Sequence, residues 1–448
     1  MKRHILHNLK KWKLKKGRKP LILKGVRQTG KTWILKEFGK KEFSACHYLN
    51  FELNKKAANL FREDLDPKRI LNEISFLLDH PIDIKNDLLI FDEIQECPEA
   101  LTSLKYFCEK MPELAVCCAG SLLGLHLSNA SFPVGKVDFL SMHPMSFPEF
   151  LEAAHDIKSL SYLNSIQPGD HFSEIVHEHL WQQFKIYLVT GGLPEVVETW
   201  LNHSNGLLYP AFVFVREKQN ELIHGYYADI AKHAGKVNAM HIDHVWRAIP
   251  AQLAQTQDGS AKRFHFRDVI PGIDRYQRLA SVFDWLGAAQ LVIRVPVIEH
   301  AKLPLMAQVE ESRFKLYMFD TGILGALADL PPKSIMDYDY GTYKGYYAEN
   351  FIAQEFVAKN ITKLYSWQNN RAEIEFLYSE NSHIIPIEVK SGGVIHSQSL
   401  NKFAEKYHPP CRVLFSAKPL HIDLTHHFHR YPLYMAHWFP LTKPNNDQ

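Results

Sequence analysis

Short apolar runs alternate with longer amphipathic segments over the first 150 residues. The runs predict strands because they are short and end in glycine or polar residues. The segments between them repeat apolar residues at helical spacing. The predicted strands are 21–23, 46–52, 87–91, 114–121 and 134–141, and the predicted helices are 31–40, 55–80 and 98–111. This alternation predicts a three-layer α/β domain with a parallel sheet over residues 1–151.

The pattern becomes mainly helical from residue 152 to residue 311. Helices are predicted over 156–166, 173–190 and 195–203, with a Gly-Gly-Leu-Pro corner at 191–194, which sets apart a helical segment at 152–206. Residues 207–311 predict helices at 210–225, 241–256 and 275–288, followed by a strand pair at 290–297 and 305–309. Three helices and a two-stranded wing predict a winged-helix-like module.

A separate α/β pattern occupies residues 312–448. It predicts a helix at 343–360, strands at 372–377 and 384–390, a helix at 398–407 and a strand at 412–416. The chain is therefore expected to be an α/β multidomain protein with four parts, at 1–151, 152–206, 207–311 and 312–448.

Composition narrows the class of protein. A net charge of +3 over 448 residues gives no field that demands a nucleic-acid or membrane partner, and no apolar run is long enough to span a membrane. The six cysteines show no metal-binding spacing and predict reduced thiols in a cytoplasmic protein. Nine of the first twenty residues are Lys or Arg, which fits a solvated amphipathic helix or a contact with phosphates or acidic lipid.

A glycine-rich loop follows the first predicted strand and leads directly into the first predicted helix. Its sequence from Gly25 to Thr32 is Gly-x-x-x-x-Gly-Lys-Thr, in the strand–loop–helix context that a phosphate-binding loop requires. The glycines let amide groups point at an anion, and the helix adds the positive end of its dipole. Lys31 is expected to reach the β- and γ-phosphates and Thr32 to bind Mg²⁺. The predicted nucleotide-binding residues of this loop are Gly25, Val26, Arg27, Gln28, Thr29, Gly30, Lys31, Thr32 and Trp33.

Two acidic residues end the apolar strand at 87–91. A strand buried on both faces of a parallel sheet is apolar throughout, and its carboxyl end opens onto the ligand crevice. Asp92 is expected to hold Mg²⁺ and Glu93 to activate the attacking water. An acidic turn after a core strand is the structural alternative.

Ser121 follows the next predicted strand. It would lie beside the two preceding strand ends, where it could contact the γ-phosphate or the attacking water. Ser121 fits a helix cap nearly as well, because Leu122 and Leu123 begin a helical pattern.

Carboxylates and a lysine recur in the last segment. Glu349 lies on the predicted helix among apolar neighbours, Glu375 on one strand, and Glu388 and Lys390 two apart on the next. Residues two apart on a strand share a face, so this group could bind Mg²⁺ and activate water for phosphodiester attack. A half-exposed sheet with a salt-bridge ladder fits the same spacing equally well.

These motifs, with Ala-Gly-Ser at 119–121, resemble the prokaryotic family of AAA-type ATPases related to the archaeal ATPases and the STAND class. That family carries a C-terminal domain that resembles the PD-(D/E)xK, or restriction-endonuclease-like, nucleases. Matching segments include 137–150, Phe314–Leu324 and Ile387–Gly392. The resemblance implies a P-loop ATPase core, a helical lid at 152–206, a sensor role for Ser121, and Pro194 at the adenine. It also implies ATP rather than GTP, and a nuclease-like set of Glu349, Glu375, Glu388 and Lys390.

Three functions follow from these expectations. The first is an ATP-hydrolysing switch that uses Mg²⁺, with Lys31, Glu93 and Ser121 as the catalytic residues, coupled to a nuclease-like C-terminal domain. The second is an ATP-regulated, metal-dependent nuclease, and the third is a nucleotide-sensing scaffold that does not cleave nucleic acid. DNA is a candidate partner because basic residues cluster at 262–278, although a solvated helix face explains them equally well. A protein partner or a second copy of the chain is a further candidate.

Overall fold

A computed structural model describes residues 1–120, 132–204, 207–253, 263–369, 372–380, 382–393 and 397–441. The chain divides into two compact units, one formed by residues 1–143 with 288–290 and the other by residues 144–287 and 291–448. Within the described ranges, no helix is long and apolar enough to cross a membrane.

The first unit contains a parallel sheet. Its strands within the described residues are β1 (Leu21–Lys24), β2 (Cys46–Asn50), β3 (Leu88–Asp92), β4 (Ala115–Gly120) and β5 (Asp138–Ser141), in the order β2-β3-β4-β1-β5. All neighbouring pairs are parallel. The carboxyl ends of β1 and β3, which carry the two predicted nucleotide motifs, therefore open onto the same edge, with β4 between them.

Helices cover both faces of this sheet. They are α1 (Ile5–Leu14), α2 (Lys31–Glu42), α3 (Lys55–Asn59), α4 (Pro67–Leu78) and α5 (Pro98–Lys110), with a 3₁₀ turn at Ile94–Glu96. Alternate residues of each strand enter different cores: Ile22 packs with the residues of α4 and α5, whereas Leu21 and Leu23 pack with those of α1 and α2. This arrangement confirms the predicted three-layer parallel-sheet fold.

The helical segment predicted at 55–80 is divided in two, because α3 ends at Asn59 and α4 begins only at Pro67. Pro67 stands at the first position of α4, and the residue before a proline is disfavoured in helical conformation.

The second unit begins with helices. They are α6 (Phe147–Ala153), α7 (Ile157–Ser165), α8 (Glu174–Thr190), α9 (Pro194–His203), α10 (Leu208–His233), α11 (Lys236–Leu253) and α12 (Tyr276–Ala288). Later helices are α13 (Thr321–Leu327), α14 (Pro332–Met336), α15 (Tyr343–Ala358) and α16 (Gln398–Tyr407). Those at 157–165, 174–190 and 194–203 confirm the three helices predicted there, within one residue at each end.

A mixed sheet forms the other part of this unit. Its described strands are β6 (Val292–Ile298), β7 (Phe314–Met318), β8 (Tyr365–Asn369), β9 (Ala372–Glu380), β10 (His383–Val389), β11 (Arg412–Ser416), β12 (His421–Asp423) and β13 (Phe428–Pro432). Their order is β12-β13-β11-β10-β9-β8-β6-β7, with antiparallel pairs β6–β7, β8–β9, β9–β10 and β12–β13. Strand β6 is parallel to β8, so this sheet runs across the predicted boundary between residues 311 and 312.

The strand predicted at 305–309 is wrong. Leu305–Gln308 is a 3₁₀ turn, and the antiparallel partner of β6 is β7. A short apolar run does not distinguish a strand from a helical turn, because neither period is expressed over four residues. The winged-helix-like module therefore loses the second strand of its predicted wing.

Candidate functional site

The loop between β1 and α2 curves back on itself at two positions. Gln28 and Gly30 have positive φ angles of 64° and 90°, so successive peptides change direction. At the start of the loop, a Cβ on Gly25 would lie 2.4 Å from the carbonyl oxygen of Met142. Glycine is therefore required at position 25 by a neighbouring backbone, and at position 30 by the left-handed conformation.

Lys31 is buried and its side chain lies against the inside of the loop. Its Nζ donates to the carbonyl oxygens of Gly25 and Val26, at 2.8 Å each. The Thr29 hydroxyl also donates to Val26 O, at 2.8 Å. The loop thus keeps a positive charge at its centre, where a phosphate would compete with the carbonyls for the ammonium.

Arg3 holds the loop from outside, which the sequence did not predict. Its guanidinium donates to Thr29 O at 2.7 Å and to His143 O at 2.6 Å, and the residue is buried. One side chain just before α1 therefore joins the phosphate-binding loop to the segment that follows β5. Among nine basic residues in the first twenty, no spacing distinguished Arg3 from its solvated neighbours.

Asp92, at the end of β3, connects to the loop through Thr32. The Thr32 hydroxyl donates to Asp92 Oδ2 at 2.8 Å, and the Tyr48 hydroxyl donates to the same oxygen at 2.7 Å. Asn50 donates in turn to the Tyr48 oxygen at 3.1 Å. Burial raises the pKa of Tyr48 to about 12, so this hydroxyl remains a donor. Hydroxyl and carboxylate oxygens are the donors that Mg²⁺ prefers, so Thr32 and Asp92 fit this ion.

Glu93 follows in the left-handed backbone region, with a positive φ of 49°. Its Oε2 accepts a hydrogen bond of 2.5 Å from Gln95 Nε2. Burial raises the pKa of Glu93, the bond from Gln95 lowers it, and the charge of Asp92 raises it further. Smaller lowering effects come from the charges of Lys31 and Arg27. A half-buried carboxylate with a raised pKa suits a general base.

Three other residues were predicted for the nucleotide site: Trp33, Pro194 and Ser121. Trp33 is 45% exposed at the start of α2. Pro194 opens α9 in the second unit, where it is half-buried. Ser121 lies outside the described residues.

The Gly-Gly-Leu-Pro corner is clamped by Asp320, a buried residue that the sequence did not predict. Gly192 N donates to Asp320 Oδ2 at 2.7 Å, and Ile323 N donates to Oδ1 at 3.0 Å. A Cβ on Gly191 would lie 2.2 Å from Asp320 Oδ1, so the carboxylate occupies the space that this glycine leaves. Burial raises the pKa of Asp320 to about 6.

The four nuclease-like residues meet in the mixed sheet of the second unit. Lys390 Nζ lies 2.9 Å from Glu388 Oε1, and Val389 N donates to Glu375 Oε2 at 3.1 Å. Burial raises the pKa of Glu375, and the charge of Glu349 raises it further. The three glutamates are buried and the Lys390 side chain is 34% exposed, and the group includes the ion pair expected of a salt-bridge ladder.

Three further residues, Lys315, Tyr317 and Glu373, belong to this group, although their spacing in the sequence did not predict it. Lys315, on β7, lies 2.7 Å from Glu373 Oε1 and 3.3 Å from Glu349 Oε2. The Tyr317 hydroxyl donates to the same oxygen of Glu349, at 2.7 Å. In the part of the chain that the structure describes, no group of three or more His, Cys, Asp or Glu side chains could hold a metal ion. These carboxylate oxygens contact Lys315, Tyr317, Lys390 and the amide of Val389.

Family models match three parts of the chain. One, described as an AAA domain, matches residues 17–151. Two others, described as domains of unknown function DUF8612 and DUF4143, match residues 182–334 and 344–434. No curated protein matches the sequence. With the loop geometry above, the first match makes residues 17–151 a P-loop ATPase domain of the AAA type.

Solved structures similar to this chain are distant in sequence. The Walker-type ATPase of Pyrococcus abyssi has 15% identity and a TM-score of 0.45, over 73% of this chain and 95% of that one. AMPPCP-bound DnaA from Aquifex aeolicus has 13% identity and a TM-score of 0.29, over 63% and 87%. A STAND protein with a tetratricopeptide repeat sensor from Pyrococcus horikoshii has 11% identity and a TM-score of 0.25, over 76% and 43%.

Proposed function

We propose that this chain binds ATP with Mg²⁺ and hydrolyses it, as a switch that acts on its C-terminal domain. The observation that carries the proposal is the contact between Thr32 and Asp92, because it brings the two nucleotide motifs to one point. The buried ammonium of Lys31 lies inside the loop that precedes Thr32.

Phosphate binding uses the loop and its lysine. The amides between Gly25 and Gly30 and the N-terminus of α2 would receive the phosphate oxygens. Lys31 would leave the carbonyls of Gly25 and Val26 for the β- and γ-phosphates, exchanging neutral acceptors for charged ones.

Thr32 and Asp92 would hold Mg²⁺, which neutralises charge on the phosphate oxygens when bound. Tyr48 keeps Asp92 Oδ2 oriented through its own hydrogen bond. Glu93 would take a proton from water as the water oxygen bonds to the γ-phosphorus and the bond to the ADP oxygen breaks. Gln95 would hold the Glu93 carboxylate in position. The sensor role of Ser121 and the adenine contact of Pro194 remain predictions from the family resemblance.

Coupling to the C-terminal domain would use contacts inside the second unit. Gly192 N binds Asp320, Gln354 Nε2 donates to the Tyr187 hydroxyl at 2.8 Å, and Phe147 N donates to Glu355 Oε1 at 2.8 Å. These buried bonds join the helices around Pro194 to α13 and α15. A movement of the Gly-Gly-Leu-Pro corner would therefore be transmitted to α13 and α15.

DNA is the proposed macromolecular partner. Four arginines between residues 263 and 278 are exposed, where they would meet phosphates without a cost of desolvation. They are Arg263, Arg267, Arg275 and Arg278.

The test is ATP hydrolysis by the full chain with and without duplex DNA. Lys31→Ala should abolish ATP binding, whereas Glu93→Gln should retain it and lower kcat by about 10²–10⁴-fold. Matched controls are Lys40→Ala, an exposed lysine of the same helix, and Glu96→Gln, an exposed glutamate three residues after Glu93. Turnover equal in wild type and Glu93→Gln would contradict the assigned base. Turnover unaffected by DNA would instead favour a protein partner.

A further inference from the structure

Lys315 is a lysine in the interior of the C-terminal sheet. Its side chain is 1% exposed, as is that of Glu349, and Glu373 beside it is 14% exposed. Removing an ammonium from water is costly unless anionic groups surround it. Glu373 and Glu349, at 2.7 and 3.3 Å from Lys315 Nζ, provide that environment. The buried lysine is therefore stabilised in its charged form by these two carboxylates.

We propose that Lys315 is a fixed internal cation that takes the place of a divalent metal among the carboxylates of the C-terminal domain. This domain therefore needs no metal at Glu349, Glu375 and Glu388, and does not cleave phosphodiesters through one there. The proposal does not depend on the ATPase site, which lies in the other unit.

The hydrogen bonding of the carboxylates supports the proposal. Glu349 Oε2 is engaged by both Lys315 and Tyr317, Glu388 Oε1 by Lys390, and Glu375 Oε2 by the amide of Val389. A divalent metal needs several oxygens at about 2.0–2.6 Å from one point. Here the oxygens are directed to separate donors.

One carboxylate oxygen, Glu388 Oε2, is not accounted for by these hydrogen bonds. Glu388 Oε2 is buried and has no hydrogen-bond partner among the described residues. A single oxygen does not make a metal site, because Mg²⁺ and Ca²⁺ require several ligands. If a metal did bind here, Glu388 would be one of its ligands, and Glu388→Gln would weaken it.

The experiment is a Mn²⁺ titration of the nucleotide-free full chain, with free Mn²⁺ measured by electron paramagnetic resonance. We expect no site in the wild type that depends on Glu375 or Glu388. Lys315→Met should create one site per chain, at least tenfold tighter than any wild-type binding, and adding Glu375→Gln should remove it. The same titrations are repeated with Asp92→Asn added to each variant, so that Mn²⁺ bound at the P-loop can be distinguished from Mn²⁺ bound in the C-terminal domain.

Two results would overturn the proposal. The first is a wild-type site that persists in Asp92→Asn and is lost in Glu388→Gln. The second is a folded Lys315→Met variant that binds no additional Mn²⁺. If Lys315→Met does not fold, the double variant Lys315→Met/Glu373→Gln replaces it, because it removes one charge of each sign. The comparison of Mn²⁺ binding by the wild type and by Glu388→Gln also tests the proposal without any change at Lys315.

Discussion

The hydroxyl of Thr32 and the carboxylate of Asp92 are joined by a hydrogen bond of 2.8 Å across sixty residues of sequence. This bond exists because parallel strands β1 and β3 open onto the same edge of the sheet. The Tyr48 hydroxyl donates to the same carboxylate oxygen, so Asp92 already has two hydroxyl donors around it. The fold therefore sets the positions of these oxygens.

Replacing Arg3 should weaken ATP binding indirectly, through the conformation of the phosphate-binding loop. Arg3→Ala removes the guanidinium that holds Thr29 O and His143 O, so the loop loses its outer support. We expect the Kd for ATP to rise about tenfold and stability to fall by about 2 kcal/mol. Equilibrium ATP binding and urea denaturation measure the two effects. Lys11→Ala, at an exposed position of α1, should leave both unchanged.

Gly25→Ala should disrupt the phosphate-binding loop. The new Cβ would lie 2.4 Å from Met142 O, and a backbone carbonyl cannot move away as a flexible side chain can. We expect a destabilisation of about 1–3 kcal/mol and loss of ATP binding. The control is Gly225→Ala in helix α10, where a Cβ meets nothing within 4 Å and stability should rise by about 0.5–1 kcal/mol. Normal ATP binding by Gly25→Ala would refute the close packing at this loop.

Gln95 should set the acidic limb of the pH–rate profile. The proposed base acts when Glu93 is deprotonated, so kcat rises with pH through the pKa that burial has raised. The bond from Gln95 lowers that pKa, so Gln95→Ala should move the limb to higher pH. The KM for ATP should stay near the wild-type value. An unmoved limb in this variant would show that Glu93 is not the titrating base.

Asp320 should make stability depend on pH. Its pKa is raised from 3.8 to about 6 in the folded chain because burial favours the neutral acid. The stabilisation is therefore complete below about pH 4 and is lost as pH rises through about 6, with a total of about 3 kcal/mol. Asp320→Asn is neutral throughout and should lack this dependence in urea denaturation between pH 4.5 and 7.5. Asp339→Asn, at an exposed position, should follow the wild-type profile.

Local pattern predicted most of the secondary structure. The predictions for 398–407 and 412–416 match helix α16 and strand β11 at both ends. The three-layer fold followed from apolar strands that alternate with helices, since such strands must be buried on both faces. The turn at 305–308 was missed because a segment of four residues is too short to show a period. The break before Pro67 was missed because the apolar residues on either side continued the helical pattern.

Sequence motifs identified residues whose chemistry is local to one loop or strand end. Gly25, Lys31, Thr32, Asp92 and Glu93 were found because their spacing repeats a known constraint. Arg3, Tyr48, Asp320 and Lys315 were not found, because each acts through a contact with a distant part of the chain. Lys315 binds a helix residue 34 positions later, and a single sequence gives no signal of that pairing.

Among the described strands, β7 pairs only with β6 in the mixed sheet, and it carries both Lys315 and Tyr317. A fragment that starts at residue 312 would keep β7 but lose β6, and with it the partner of β8. Two rows of backbone amides and carbonyls would become available for intermolecular pairing. Expression of the C-terminal region by itself should therefore begin before Val292, or it will yield aggregates that report nothing about the chemistry of its carboxylates.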